Sequence, residues 1–471
     1  MIQLRDYQQK AIDDIRSEFA RGKKKIIFQC PTGAGKTIIS AFMIQGALAK
    51  GLKVLFLVHL RELIQQTSDK LALLQIQHSA ICPGYAYYNH DCQLAMVQSF
   101  SRRMDKIEFQ PDLIIADESH HLCSNTYKNI LANYPSSKIV GLTATPERLD
   151  GKGLGEIAEV IVKGPSMKWL ISQGFLNDYK YFSVPHEVDF QDIKSKMGDY
   201  DLQAVSKVIE ESGILGDCVS HYLSHLQGKK CIVFCTTIEH SKEIYTRFRN
   251  AGVKAEHLDG TLQKIERDRV IASFKTGETK VLTNCSLISE GFDVPDCDGV
   301  ILLRPTKSLG LHLQMIGRGL RPSDCPTIIL DHVGNYKIHG LPDEDREWSL
   351  EGRKKRKKKK SEFEVALCED CFSVYNGLTN AKCPYCGKEK TGGGRGPISE
   401  TAGLLQEIKI AGEVVTLKRN ERGKVEKKDV NKLLAKCRTL EDLKSLGEQM
   451  GYKPGWANFI YQFRTKKKRV R

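Results

Sequence analysis

The chain has 471 residues, with 72 Lys and Arg against 57 Asp and Glu, a formal net charge of +15. That length excludes a small stapled scaffold and allows about three domains at roughly 100 to 200 residues each. No apolar run approaches the ~18 residues a membrane crossing needs, and the first residues, MIQLRDYQQK, lack a basic-then-apolar leader pattern, so a cytosolic protein is expected, with no membrane partner.

Charge is segregated. The first 350 residues balance to zero, and the remaining 121 carry the whole +15. A neutral body with a strongly basic tail points to a polyanionic partner, nucleic acid first, with a solubilising tail as the alternative. Eleven of the fifteen cysteines are scattered through strand-like and helical segments, as reduced core thiols would be, and four form a cluster.

From about 25 to 145, short apolar runs alternate with helical segments: KKIIFQC and a helix from Thr37, KVLFLV and a helix through RELIQQTSDKLALL, then DLIIAD and KIVGLTA. This rhythm predicts a parallel sheet with crossover helices. It restarts near 229 with KKCIVFC, KAEHLD, KVLTN, GVILL and TIILD, predicting a second α/β unit. The stretch from 150 to 212 shows no such rhythm; GKGLG at 151–155 follows TATPERLD rather than a strand and is read as a loop. The expected domains are therefore 1–165 and 213–345 with a connector over 166–212, then a basic linker at 346–362, a four-cysteine module at 363–390 and a basic, partly helical region at 391–471.

In the first unit, CPTGAGKT (30–37) stands between a strand and a helix, where a phosphate loop must stand. Thr32, Gly33, Ala34 and Gly35 form the turn; Gly33 and Gly35 let backbone N–H groups wrap a phosphate at the positive end of the helix. Lys36 would reach the β- and γ-phosphates, and the Thr37 hydroxyl would ligate Mg²⁺. The Gly that usually opens this pattern is Cys30. LIIADESH (113–120) adds a buried strand ending in Asp117, which can hold Mg²⁺, and Glu118, placed to orient or deprotonate the attacking water.

With these two motifs the chain resembles a superfamily 2 helicase of the DExH type. LRDYQ resembles the N-terminal glutamine motif, implying that Gln8 reads adenine. LVHLREL resembles the motif whose Arg61 lies along a nucleic-acid backbone, and MVQSF the next one, with Gln98 and Ser99. LTATP places Thr143 and Thr145 where the family couples hydrolysis to strand movement. The family accepts a small residue at the position of Cys30. In QMIGRGLRP, Gln314, Arg318 and Arg321 match the family's QxxGRxxR spelling; the two arginines, three apart, are expected on one helical face pointing across the cleft, where such a finger is worth roughly 10³- to 10⁵-fold in rate. ISEGFDVPDCD resembles the neighbouring motif, with Gly291 and Asp293 near the nucleotide, and VFCTTIEHSKEI and TNCS resemble those that grip phosphates, with Thr236 and Thr283 as candidates. The resemblance implies two tandem RecA-like domains using ATP and Mg²⁺.

The cluster CEDCFSVYNGLTNAKCPYCG offers Cys368, Cys371, Cys383 and Cys386, two C-x-x-C pairs separated by eleven residues. Two such knuckles form a closed tetrahedral Zn²⁺ site of structural type; disulfides or an iron–sulfur cluster are the alternatives. Before it, RKKRKKKK (353–360), including Lys355 and Arg356, would bind phosphates without reading sequence, unless it is an import signal or a solvated run. Near the C-terminus, Trp456, Phe459 and Phe463 either stack bases or form a small core. The layout further resembles bacterial RadD-like and phage-encoded helicases, related to the helicase part of type III restriction subunits. That implies single-stranded or branched DNA as substrate in replication, recombination or repair, in a bacterial or phage-infected cell. Its partners would be a single-strand-binding protein or a nuclease, since no nuclease carboxylate cluster is evident. An RNA helicase and a binding scaffold with an idle ATPase fold are the rival readings.

Overall fold

The computed structural model describes residues 3–148, 151–183, 193, 195–196, 199–211, 214–285, 296–352, 365–368, 370–377, 380–389, 405–410, 413–418, 439–441 and 443–444. By its contacts the chain divides into two units, 1–390 and 391–471.

The first lobe is a seven-stranded parallel sheet. Its strands are β1 (Lys25–Gln29), β2 (Val54–Val58), β3 (Ser79–Ile81), β4 (Cys92–Met96), β5 (Leu113–Ala116), β6 (Lys138–Thr143) and β7 (Val160–Lys163), in the order β3-β4-β2-β5-β6-β1-β7. Both faces are covered by helices, so β2 and β5 are buried at every position and read in the sequence as unbroken apolar runs. The reversal of strand order beside β1 opens a crevice at the carboxyl ends of the strands, where ligands of open α/β sheets bind.

The second lobe is an eight-stranded sheet assembled from three separated stretches of chain. β8 (Tyr179–Ser183) comes from the expected connector, whose later part forms a small antiparallel hairpin of β9 (Ser195–Lys196) and β10 (Asp199–Tyr200). β11 (Cys231–Cys235), β12 (Ala255–Leu258), β13 (Val281–Cys285), β14 (Gly299–Leu302) and β15 (Thr327–Asp331) follow the expected rhythm. β16 (Val365–Leu367) and β17 (Ser373–Asn376) belong to the cysteine segment, and the order is β12-β13-β11-β14-β15-β8-β17-β16. β8 pairs in parallel with β15 and antiparallel with β17. Two expectations are corrected here: the segment 166–212 is not only a connector, and the cysteine segment, expected as a module of its own at 363–390, extends the second sheet. Tyr181 fixes β8 in place, fully buried and donating its hydroxyl to Asp331 at 2.8 Å.

The expected linker at 346–362 begins as a docked strap. Gly155 N donates to the Leu350 carbonyl at 2.9 Å, Lys152 bridges to Gly352, and Leu350 packs on the first-lobe cluster that contains Leu154 and Ile157. The loop reading of 151–155 holds, and the glycines have a reason: a Cβ on Gly153 would lie 1.9 Å from the Leu350 carbonyl oxygen. In the second unit the described residues include an antiparallel hairpin of β18 (Leu405–Ile410) and β19 (Glu413–Lys418). The basic run 353–360, with Lys355 and Arg356, and the aromatic residues Trp456, Phe459 and Phe463 lie outside the described residues.

Candidate nucleotide site and metal centre

β1 runs into the loop 30–35, and the helix Lys36–Leu48 leaves it. Gly33 and Gly35 have φ of +85° and +86°, a left-handed backbone that glycine adopts without strain and that turns successive N–H groups inward. Cys30 is buried and its carbonyl accepts from Lys36 Nζ at 3.4 Å; burial pushes its thiol up to about 12, which makes it a packing residue and not a nucleophile. The Thr32 hydroxyl oxygen is buried with no hydrogen-bond partner, an unsatisfied polar atom within the loop.

The N-terminal helix Asp6–Ala20 seats on this loop. Tyr7 donates to the Ala34 carbonyl at 2.9 Å, Gln8 reaches the same oxygen at 3.4 Å, and a Cβ on Gly35 would touch the Gln8 amide. Arg5 lies over the Phe175 ring at 4.6 Å, and Leu176 closes against Gly33.

Asp117 and Glu118 follow β5 at the same end of the sheet. Burial, reinforced by the neighbouring Glu118 carboxylate and opposed by Lys36, pushes Asp117 up to about 6. Two carboxylates held together beside a lysine form a hard-oxygen set that suits a divalent cation. Glu118 is buried at φ +48°, a left-handed conformation unusual for a side chain of its size, which costs on the order of 1 kcal/mol or more and turns it into the site. Its carboxylate lies 3.4 Å from His120 Nδ1.

Thr143 Oγ1 donates to the Thr145 carbonyl at 2.9 Å, and a Cβ on Gly310 of the second lobe would lie 2.7 Å from Thr145 Oγ1. Gly310 is in the helix Leu309–Gly317, which carries Gln314 buried; a Cβ on its last residue, Gly317, would lie 2.7 Å from Thr32 Cγ2. The two lobes thus meet at the phosphate loop itself, with Arg318 the next residue. The expected shared helical face of Arg318 and Arg321 is corrected: the helix ends at Gly317, Arg318 caps it, and Arg321 sits beyond, bridged to Asp296 at 3.2 Å. Gly317 and Gly319, both tightly packed and poor helix formers, set that stop.

Of the expected nucleic-acid contacts, Arg61 opens the helix Arg61–Leu73 and is exposed, Gln98 is exposed and Ser99 is buried. Thr236 and Thr283 are corrected in this conformation. Both are buried, with Thr236 Oγ1 2.8 Å from His240 Nδ1 and Thr283 Oγ1 donating to the Ser241 carbonyl at 3.1 Å, so neither presents a hydroxyl to a strand. Gly291 and Asp293 lie outside the described residues. Sequence reasoning missed a further inter-lobe contact, Arg267 to Glu62 at 2.9 Å, and no local signal joins residues so far apart.

The four sulfur atoms of Cys368, Cys371, Cys383 and Cys386 lie within 4.8 Å of one another, with Cys368–Cys386 at 3.5 Å and Cys371–Cys383 at 3.6 Å. Tetrahedral zinc with Zn–S of about 2.3 Å needs S···S near 3.8 Å, so the donor set fits. Desolvation would raise the Cys383 thiol, but hydrogen bonds from Ser373 and from the backbone of Cys386 and Tyr385 hold it down at about 6. Tyr385, between the last two cysteines, lies near Phe182 and under Lys180 of β8. No disulfide links the described cysteines.

Comparison with known proteins adds to this geometry. A family described as "Type III restriction enzyme, res subunit" matches residues 1–148, and "Helicase conserved C-terminal domain" matches 215–323. A 51.5 kDa protein of a Lactococcus phage is 36% identical over 77% of this chain and 78% of its own length. A Saccharomyces cerevisiae protein named as an ATP-dependent helicase, IRC3, is 34% identical over 71% of this chain, which spans only 52% of that protein. A solved structure titled as the ATP-dependent Type ISP restriction-modification enzyme LlaBIII bound to DNA superposes with a TM-score of 0.53 at 18% identity, covering 70% of this chain and 27% of that one. At that identity the likeness concerns the fold.

Proposed function

We propose, from the fact that the chain belongs to the superfamily 2 DExH-type helicases and is a helicase ATPase, that it moves on or unwinds DNA in replication, recombination or repair. The observation that carries the motor reading is the meeting of the lobes at the phosphate loop, Thr32 against Gly317 and Thr145 against Gly310. A group bound at Lys36 therefore stands where changes in one lobe are felt by the other. In this reading Gln8 reads the adenine, Thr32 to Thr37 hold the phosphates, and Glu118 orients the attacking water. Gln314, Arg318 and Arg321 complete the site from the second lobe, with Gly291 and Asp293 beside the nucleotide. Thr37 and Asp117 would hold Mg²⁺, which neutralises phosphate charge when bound. ATP binding closes the cleft and hydrolysis reopens it, so that repeated cycles advance the protein along one strand.

DNA is preferred over RNA because the first-lobe family is a restriction-enzyme subunit and LlaBIII was solved on DNA. The cysteine cluster is assigned to structural Zn²⁺, and the basic run 353–360 to a grip on DNA phosphates. The deciding experiment is ATP turnover with single-stranded, forked and duplex DNA and with RNA. The natural protein should be stimulated by DNA, and Lys36→Ala should lose roughly 10²- to 10³-fold in turnover. Absence of stimulation by any nucleic acid sinks the motor reading; stimulation by RNA alone moves it to an RNA helicase.

A further inference from the structure

The loop after β3 reads PGYAYYNH (83–90) and carries Tyr85, Tyr87 and Tyr88. Unassigned loop aromatics ordinarily fold onto a neighbouring core, yet Tyr87 is 42% and Tyr88 61% exposed. This exposure is not slackness, since the loop backbone is pinned from beneath. Gln93, fully buried on β4, donates through Nε2 to the carbonyls of Tyr88 at 2.9 Å and His90 at 2.8 Å, and Tyr88 N donates to Ser79 Oγ at 2.8 Å. A buried amide donated to two loop carbonyls holds in place the backbone from which the exposed rings project.

The same loop abuts Arg61. Its guanidinium lies 5.9 Å from the centre of the Tyr85 ring, and a Cβ on Gly84 (φ +80°) would lie 3.1 Å from Arg61 Nη2. Tyr85 is itself held by its hydroxyl, which donates to Gln65 at 2.7 Å. One surface thus presents a cation at Arg61 and, on the loop that abuts it, two exposed tyrosines, the Tyr88 ring 6.1 Å from that of His90. An unpaired nucleotide offers the complement: a phosphate for the cation and a flat base for a ring.

We propose that residues 83–90 form a base-stacking platform for single-stranded DNA, with Tyr87 and Tyr88 stacking bases whose phosphates Arg61 holds. This rests on the reading of the chain as a DNA motor and adds the residues that give the track its preference for unpaired bases. Buried Gln93 and Ser79 are positioning residues, because they act only through the loop.

The test uses the full chain, a single-stranded oligonucleotide, and the same oligonucleotide with abasic sites at its centre, read by DNA-activated ATP turnover. Tyr87→Ala with Tyr88→Ala should raise the DNA concentration for half-maximal activation by about 5- to 100-fold, while turnover at saturating DNA holds. Phe at both positions should restore the natural value. Abasic sites should penalise the natural protein and leave the double alanine variant nearly indifferent. An unshifted half-saturation in the alanine variant, or an equal abasic penalty in both proteins, overturns the platform, as does a protein ligand captured through these tyrosines with DNA activation unchanged. If the natural protein itself ignores every DNA, it is the motor reading that fails, an outcome distinct from any that overturns the platform alone.

Discussion

The two lobes reach similar sheets by different routes. The first draws its seven strands from one unbroken stretch, Lys25 to Lys163, and each strand but the short β3 leads into a helix or a site loop. The second draws on three stretches, with β8 before its main body and β17 after it, so that Val374 pairs with Tyr181. The nucleotide-binding half is thus locally encoded, whereas the half that completes the site depends on pairings formed over long sequence separations. Those pairings place the cysteine cluster within the fabric of the second lobe, and they predict that insults to it are felt as loss of that lobe.

The largest expected effect separates the two halves of the site. Arg318→Ala should lower ATP turnover by about 10³-fold or more while leaving nucleotide binding and thermal unfolding unchanged, because in the proposed reading it acts on the γ-phosphate from the second lobe. Weakened nucleotide binding of similar size would mean that the division of labour is wrong. Cys383→Ser, or removal of metal by a chelator, comes next. Calorimetry should show the second-lobe transition falling by about 10 °C or more, at roughly 2 to 4 °C per kcal/mol for a lobe of this size, with the first-lobe transition unmoved. A uniform shift of both transitions would erase the contrast. The smallest effect belongs to Glu62 and Arg267. A double-mutant cycle on DNA-activated turnover should return a coupling below about 1 kcal/mol, as expected for a partly solvated pair. A larger value would make that bridge a principal clasp between the lobes.

The same contrast explains what could be read in the sequence. The loop around Lys36 and the end of β5 at Asp117 were legible because strand, turn and helix follow one another within a few residues, and short-range pattern suffices for that. β8 was not legible: YKYFS has no long apolar run, and only burial between β15 and β17 makes it a strand. The C-x-x-C spacing announced a four-thiol site, but nothing in that spacing says which edge it will extend. The helix bearing Gln314 was foreseen and its end was not, since the arginine spacing suggested another turn where Gly317 and Gly319 stop it. Thr236 and Thr283 show the limit of motif reading from the other side: a hydroxyl in a familiar string can still be turned inward, by the strand for Thr283 and by the bend after one for Thr236.

The strap at Leu350 has a consequence for how the protein is made. The first lobe's loop at 151–155 leaves the ribosome without the carbonyl and the leucine that complete it, and nearly two hundred residues must be added before they arrive. At the ~5 to 20 residues per second of synthesis, that is an interval of roughly 10 to 40 seconds in which Leu154 and Ile157 lack their cover. The second lobe waits in the same way for β17, so each half is finished by chain that follows the main bodies of both lobes, and the first lobe becomes complete only shortly before the second.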